Sequence, residues 1–311
     1  MPKFNPEHQI IVNEKNISLI LRGYNLSLKS FKLPKTGIEN TSIIALTNKG
    51  KYVLRVYRQN KKSTESIIEE LSFISFLKDN GIPVPGTIED IEGALVHEQN
   101  IGGLLWQCVL LEYMLGKVVT IYPKPAFKQL ALVHAKMHLL GLSFAKKYGK
   151  LPKLKLELAN KFFVDKINLF EIKNPRVLSF FKRAKEYKIT LNRFLPMGFN
   201  HFDIGYGNIL VNKNNLSAVL DFDDMGYGPS VGCLANSLCD VLFFTQDLKK
   251  IKEYIKYYSE VRKLNSLEIA SIKEIMLYRN YLVGSFDALL SGQENMKGYL
   301  DAEALIKNLY I

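Results

Sequence analysis

Three observations predict an α+β chain of two lobes, a small β-rich lobe with one main helix followed by a larger, mainly helical one. Residues 1–112 carry short β-prone runs with a single helical stretch among them. After Gly116 the apolar residues recur at helical spacing. That helical half is interrupted once, over 199–224, by β-prone runs around a loop rich in Asp, Asn and Gly. The implied organisation is a lobe over 1–112, a hinge at 113–116 and a lobe over 117–311. A ligand cleft is expected at such a junction.

In the first lobe the β-prone runs are Lys29–Lys35, Ser42–Thr47 and Tyr52–Tyr57, with Asn48-Lys49-Gly50-Lys51 as the hairpin turn between the last two. Ser63 to Asp79 reads as a helix on the spacing of Ile67, Ile68, Leu71, Ile74, Phe76 and Leu77, closed by Asn80-Gly81. Pro83 and Pro85 force an extended segment after it. Strands follow near Ala94–Glu98 and Leu104–Leu111. In the second lobe amphipathic helices are expected over Pro123–Lys147, Glu157–Glu171, Arg176–Lys188, Pro229–Phe244, Leu248–Val261 and Leu267–Leu290. No internal repeat or low-complexity tract is present.

Of 311 residues, 47% are hydrophobic, enough for a real core and incompatible with a disordered chain. The first fifteen residues include Glu7, His8, Asn13 and Glu14 where a signal peptide needs an apolar stretch. Leu104–Leu115, the most apolar run, is too short to span a bilayer and contains Gln107 and Glu112. Cys108, Cys233 and Cys239 have no metal-site spacing and read as buried thiols in a reducing compartment. A cytoplasmic protein without membrane insertion is expected. The net charge of +12 is not spread evenly: residues 113–193 hold 18 basic against 4 acidic residues, whereas 194–311 hold 11 against 14. A nucleic-acid binder would carry its basicity on its functional stretch, so no nucleic-acid partner is expected. The lysine-rich helices of 113–193 read as a solvated face, or as an attraction for an acidic partner.

The chemistry sits in the interrupting patch. His201-Phe202-Asp203-Ile204-Gly205-Tyr206-Gly207-Asn208 matches H-x-D-x-x-x-x-N, and Leu220-Asp221-Phe222-Asp223-Asp224 follows a further strand–turn–strand. A hairpin there brings Asp203, Asn208 and Asp221 to one end. Hard oxygen ligands of this kind suit Mg²⁺ carrying phosphates, with Asn208 and Asp221 on the metal. Asp203 then remains to accept the proton of an acceptor hydroxyl. Asp223 and Asp224 are open between a second metal ligand, a receptor for a cationic acceptor, and carboxylates bonded to loop amides. His134 and His138 stand four apart, a metal-ligand spacing, but Ala135 replaces the Glu of the zinc-protease motif and the pair is not read as a zinc site. Trp106 reads as core.

On these residues the chain resembles the phosphotransferase family of aminoglycoside phosphotransferases, choline kinases and homoserine-type kinases, relatives of the protein kinases. The resemblance runs through nearly the whole chain and implies a bilobal protein-kinase-like fold. By it, Arg55 in Lys51–Tyr57 contacts the phosphates of ATP and Glu70 on the following helix pairs with Arg55. Leu111-Glu112-Tyr113-Met114 resembles the hinge, so Glu112 and Met114 are assigned to the adenine, and Ala135-Lys136-Met137-His138 resembles the helix under the catalytic loop. His201 braces that loop. The chain departs from the family pattern in three places: Arg55 occupies a position where kinases use Lys, the glycine-rich loop shrinks to Leu33–Asn40 with Gly37 as its one glycine, and the family's usual acidic residue beyond Gly-Pro is replaced near Cys233.

The implied activity is transfer of the γ-phosphate of Mg-ATP to a hydroxyl of a small acceptor, an amine-bearing alcohol of aminoglycoside, choline or homoserine type. The alternatives are a nucleotide-binding pseudokinase or scaffold, motivated by Arg55 and the single-glycine loop, and a polyanion or membrane-surface binder using the basic segment. A metal-dependent phosphatase leaves the hinge and strand signals unexplained. No Ala-Pro-Glu segment follows Asp221, which argues against a protein kinase.

Overall fold

Apolar residues at every second position build the sheet of the first unit. In the computed structural model, which describes residues 11–34, 40–148, 165–292 and 296–311, the chain divides into two compact units. These are Met1–Gly116 with Ser217–Leu220, and Lys117–Leu216 with Asp221–Ile311.

The first unit contains α1 (Glu14–Arg22), β1 (Leu28–Lys32), β2 (Thr41–Thr47), β3 (Lys51–Val56), α2 (Thr64–Asp79), β4 (Thr87–Ile88), β5 (His97–Ile101) and β6 (Leu104–Glu112). The sheet order is β1-β2-β3-β6-β4, with β5 also paired to β6, and the pairs are antiparallel. In β2, Thr41, Ile43, Ala45 and Thr47 are buried at period two, and Ile43 and Ala45 meet Leu54, Val56, Trp106, Cys108 and Leu110 in one core. Trp106 is fully buried, its indole donating to Ile101 O at 3.3 Å. The expected turn at 48–51 joins β2 to β3, with Gly50 at φ +140°. Ser63 caps α2 by accepting from Ser66 N, and Ile67, Leu71, Ile74 and Leu77 form its buried stripe. Ile68, counted in the sequence periodicity, is exposed.

The second unit contains β7 (Lys117–Val118), α3 (Lys124–Tyr148), α4 (Pro175–Glu186), β8 (Met197–Asn200), β9 (Ile209–Asn212), β10 (Asn215–Val219), whose later residues belong to the first unit, and β11 (Gly226–Pro229). It ends in α5 (Ser230–Thr245), α6 (Leu248–Val261), α7 (Ser266–Ser291) and α8 (Lys297–Lys307). Lys213 and Asn214 link β9 to β10 at φ +47° and +67°, the conformation of a tight hairpin turn. Gly141 of α3 and Gly198 of β8 let two backbones touch. A Cβ at Gly141 would stand 1.9 Å from Phe199 O, and one at Gly198 would stand 3.0 Å from Leu142 N. That contact fixes β8, and with it the loop that follows. Arg262 and Glu268, both buried, pair at 2.7 Å. Glu268 also completes a capping box with Asn265 that starts α7.

Two short helices escape the sequence pattern. α1 has only nine residues, with Ile17, Ile20 and Leu21 as its buried face, and α8 follows α7 by a short connection. Of the helix expected over Glu157–Glu171, residues 157–164 lie outside the described residues, and Leu169–Glu171 is a 3₁₀ turn capped by Asn168. No helix among the described residues is long and apolar enough to cross a membrane.

Candidate active site

β8 and β11 pair antiparallel, with Asn200 opposite Gly226. The loop 201–208 therefore leaves β8 at the end where residues 221–225 enter β11. Asn200 stitches the pair, its amide donating to Gly198 O at 2.7 Å and Gly228 O at 2.9 Å. This places the two acidic segments of the sequence motif side by side, as the spacing predicts.

The loop backbone is held in conformations that ordinary residues avoid. Phe202 has φ +61° and Asp221 φ +63°; for an aromatic residue that is a strained position. The strain is held from both sides by α5. Phe202 N donates to Cys233 Sγ at 3.3 Å, and Asn236 Nδ2 donates to Phe202 O at 2.8 Å. A third residue one turn further on, Asp240, accepts from Tyr206 N. Gly205 makes room for it, since a Cβ there would lie 2.3 Å from Asp240 Oδ2. Cys233, Asn236 and Asp240 thus form a polar stripe on an otherwise apolar helix.

His201 is buried, its Nδ1 accepting from Asp203 N at 3.2 Å and its ring packed on Phe222 with centroids 4.4 Å apart. Asp203 is half-buried. One carboxylate oxygen accepts from Asn208 Nδ2 at 2.6 Å, the other from Arg279 Nη2 of α7 at 3.4 Å. Asn208 also donates to Asp203 O at 3.0 Å. Its amide nitrogen is therefore committed to Asp203, and its carbonyl oxygen is the atom with ligand character.

Charge is crowded here. Desolvation and the neighbouring carboxylates of Asp203, Asp223 and Asp221 raise Asp224 above the ordinary carboxylate range, with Arg279 opposing. Because Asp224 lies exposed at the surface, the crowding is the more telling cause. Asp240 is pushed up to about 6 by desolvation, with Asp203 adding to the rise and Tyr206 N–H and Arg279 opposing it. An all-oxygen set with excess negative charge fits a hard divalent cation. Asn208 and Asp221 are the residues that could supply oxygen ligands to one.

Asp203, Asn208, Asp221, Asp223, Asp224 and His201 are thus gathered in one unit. Arg55, Glu70, Glu112 and Met114 belong to the other. There, Arg55 is buried in the central strand β3, its guanidinium 5.3 Å from the Tyr57 ring centroid. Glu70 is buried too, accepting from Tyr57 Oη at 3.1 Å and Lys62 Nζ at 2.6 Å. Glu112 ends β6 and its carboxylate accepts from Gly86 N at 3.0 Å and pairs with Lys78. Met114 lies just beyond that strand. Gly37 lies outside the described residues.

Cys233, Asn236, Asp240 and Arg279 were not legible as site residues. The i, i+3, i+7 polar spacing on α5 is a signal that was available in the sequence. Arg279, 76 residues beyond Asp203, offers none.

A strained loop bearing an aspartate–asparagine pair, with a second acidic segment beside it, on a helical unit that follows a β-rich one, defines a protein-kinase-like phosphotransferase. Residues 30–262 match the model of the phosphotransferase enzyme family, and the chain belongs to that family. It is an enzyme that transfers phosphate to a hydroxyl acceptor. The homoserine kinase of Methylobacillus flagellatus is 25% identical over 258 residues, 81% of this chain and 77% of that protein. That of Methylocella silvestris is 25% identical over 270 residues, 84% and 81% of the two chains. Among solved structures, an amicoumacin kinase in complex with AMP-PNP, Ca²⁺ and its antibiotic superposes with TM-score 0.73 at 17% identity, covering 97% of this chain and 93% of its own. A microcompartment-associated aminopropanol kinase gives 0.65 at 17%, covering 95% and 94%. At such identities these two likenesses speak to the fold.

Proposed function

We propose that the protein transfers the γ-phosphate of ATP, in the presence of Mg²⁺, to the hydroxyl of a small zwitterionic acceptor, a hydroxy amino acid of homoserine type. The observation that carries this reading is the position of Arg279, with Nη2 3.4 Å from Asp203 Oδ1. Carboxylates alone would recruit a purely cationic alcohol. A guanidinium at the catalytic carboxylate adds a planar fork suited to an acceptor's own carboxylate. Asp223 and Asp224 are then available to the acceptor's ammonium group. The homoserine kinase relatives support the same class.

In this reading Asp203 orients the acceptor hydroxyl and takes its proton as the new bond forms. Asn208 keeps that carboxylate in place through its amide nitrogen, while its oxygen and Asp221 hold the divalent cation, which neutralises charge on the phosphates. His201 and Cys233 set the backbone on which Asp203 stands. Arg55, supported by Glu70, serves the phosphates, and the segment from Glu112 to Met114 serves the adenine. Most of the rate acceleration then comes from positioning and charge neutralisation.

A second reading is an amino alcohol without a carboxylate, favoured by the surplus of aspartates over Arg279. The two are separated by acceptor-stimulated ATP consumption with L-homoserine, L-serine and L-threonine beside 1-amino-2-propanol, choline and aminoglycosides. The hydroxy amino acid reading expects Arg279→Ala to raise KM for the preferred acceptor by about 10–100-fold, the loss of one charge-assisted contact. Preference for an amino alcohol, with KM unmoved by Arg279→Ala, would show the second reading to be right.

A further inference from the structure

Two helices of the second unit carry matched four-residue spacings. His134 and His138 stand one turn apart on α3, Tyr254 and Tyr258 one turn apart on α6, and each imidazole meets one phenol. His134 Nδ1 lies 3.0 Å from Tyr254 Oη, and His138 Nδ1 lies 2.6 Å from Tyr258 Oη. The other two ring nitrogens are thereby turned on one point, with Nε2 to Nε2 at 3.0 Å. Cys233, from the first turn of α5, brings Sγ to 3.4 Å from His134 Nε2. The three donor atoms all lie within 4.8 Å of one another, and all three residues are buried. Among the described residues this is the one group of three or more His, Cys or acidic side chains gathered at ligand distance.

We propose that His134 Nε2, His138 Nε2 and Cys233 Sγ form a binding site for a thiophilic d¹⁰ cation, monovalent copper or zinc, buried under the loop that carries Asp203. Metal–nitrogen and metal–sulfur bonds of ordinary length separate neighbouring donors by roughly 3.3–3.8 Å. Two of the separations here are within about 0.4 Å of that range. The surroundings are those of an oriented ligand set. Each ligating imidazole has its second nitrogen fixed by a phenol, and Tyr258 is itself held by Arg262 Nη1 at 3.1 Å, whose Nη2 rests on Glu268. The sulfur receives the Phe202 N–H at 3.3 Å, a bond that a thiolate keeps and strengthens.

Protonation agrees. Burial drives His134 down to about 3, with the charges of His201 and Arg262 adding to the fall, and drives His138 well below its ordinary value. Both rings are neutral, the form that ligates. Burial pushes the Cys233 thiol up to about 12, so it carries its proton until a cation displaces it. Binding therefore releases the thiol proton to solvent and moves the proton shared between the two Nε2 atoms to the Nδ1 of the same ring, so that each imidazole ends with its single proton on Nδ1, facing a phenol. The donor set, two nitrogens and a sulfur, is unsuited to Mg²⁺ and separates this site from the aspartate cluster. One thiolate balances a monovalent cation, whereas zinc leaves a net positive charge in the core beside Arg262. Charge balance thus favours copper.

The sequence carries no zinc-protease motif around the histidine pair, since Ala135 stands where that motif has Glu, and the third donor is 95 residues beyond His138, brought to it by the fold. A cation there would tie α3 and α5 together at the point where Cys233 holds the loop.

The test is metal retention by the intact, reduced protein. It would be incubated anaerobically with cuprous ion, zinc or cobalt, freed of excess metal and analysed by elemental mass spectrometry. About one equivalent of copper or zinc per chain is expected, with a rise in Tm. The cobalt form should show a near-ultraviolet thiolate charge-transfer band. Whichever of copper and zinc is retained in direct competition identifies the ion. Cys233→Ser should lose the band and retain less than about a tenth of the metal, while Tyr254→Phe, which spares all three ligands, weakens affinity about 10–100-fold. Folded wild-type protein that retains none of the three metals overturns the proposal, leaving a hydrogen-bonded His–His–Cys cluster. Undiminished retention by Cys233→Ser overturns it as well.

Discussion

The side-chain amide of Asn208 donates both to the carboxylate of Asp203, at 2.6 Å, and to its main-chain carbonyl, at 3.0 Å. One residue thus holds the aspartate proposed as the base and leaves its own side-chain oxygen as the ligand atom. Asp203→Asn is expected to lower kcat by about 10²–10⁴-fold, the worth of a positioned general base, with ATP affinity within a few fold of wild type. Asn208→Ala should instead weaken the affinity for divalent metal, raising the Mg²⁺ concentration needed for half-maximal rate. Steady-state kinetics beside nucleotide-binding calorimetry separate the two. Equal loss of nucleotide binding in both variants would contradict the division of labour.

Asp240 and Gly205 act as a pair. A methyl at 205 collides with the Asp240 carboxylate, so Gly205→Ala must push away either Asp240 or the loop. A displacement of this size is expected to cost about 10–100-fold in kcat. Removing the obstacle in Gly205→Ala/Asp240→Ala should recover part of it. A double variant no better than the single would show that the glycine serves its backbone conformation and not the approach of Asp240.

The raised pKa of Asp240 also makes a signed prediction for stability. Its folded value of about 6 exceeds its ordinary 3.8. Between those values the folded state binds more proton than the unfolded one. Stability therefore falls as pH rises from about 4 to about 6 and is flat beyond. Asp240→Asn keeps the acceptor for Tyr206 N and removes the titration. Its stability relative to wild type should be more favourable at pH 8 than at pH 4, by on the order of 1–2 kcal/mol after allowance for partial solvent access. Thermal melts at both pH values check the sign; a variant that gains relative stability at the acid end would refute it.

Glu303 is the electrostatic anchor of the last two helices. It is buried, and accepts from Arg183 Nε at 2.6 Å and Nη2 at 2.8 Å, from Tyr281 Oη at 2.8 Å and from Lys307 Nζ at 2.6 Å. Burial alone would raise its pKa, but these donors outweigh it and hold the group below the usual carboxylate value. Its contribution is therefore present above the ordinary Glu range and lost as pH falls below it. Glu303→Ala strands Arg183 and Tyr281 and is expected to cost about 3–5 kcal/mol, read by urea denaturation at pH 7. A cost under about 1 kcal/mol would mean the cluster is solvated like a surface pair.

Much of this was readable in the chain. The strands from Ser42 to Tyr57, the hairpin turn at 48–51 and the helix Leu248–Val261 follow from period-two and helical spacing, because in each case one face is buried and the pattern records it. The order of Asp203, Asn208 and Asp221 pointed to the loop between β8 and β9 and to the segment before β11, because a strand–turn–strand between them returns the chain to the same end. What supports the loop was not readable. Cys233, Asn236 and Asp240 reach it from a helix beginning more than twenty residues later, and Arg279 from a helix later still. The i, i+3, i+7 spacing on α5 marks a polar face but not what that face meets, and the arrival of Arg279 depends on how α7 packs, which no local pattern encodes. α1 was missed for the opposite reason: nine residues give too few turns for periodicity to stand out.

In the proposed function, Asp203 directs phosphate from ATP to the hydroxyl of a hydroxy amino acid. The most direct measurement is Mg²⁺-dependent ADP release by wild type and Asp203→Asn, with and without L-homoserine. ADP release stimulated by the acceptor in wild type, matched by phosphorylated acceptor and lost in the variant, is the predicted result. Acceptor-stimulated turnover that survives in Asp203→Asn would contradict it.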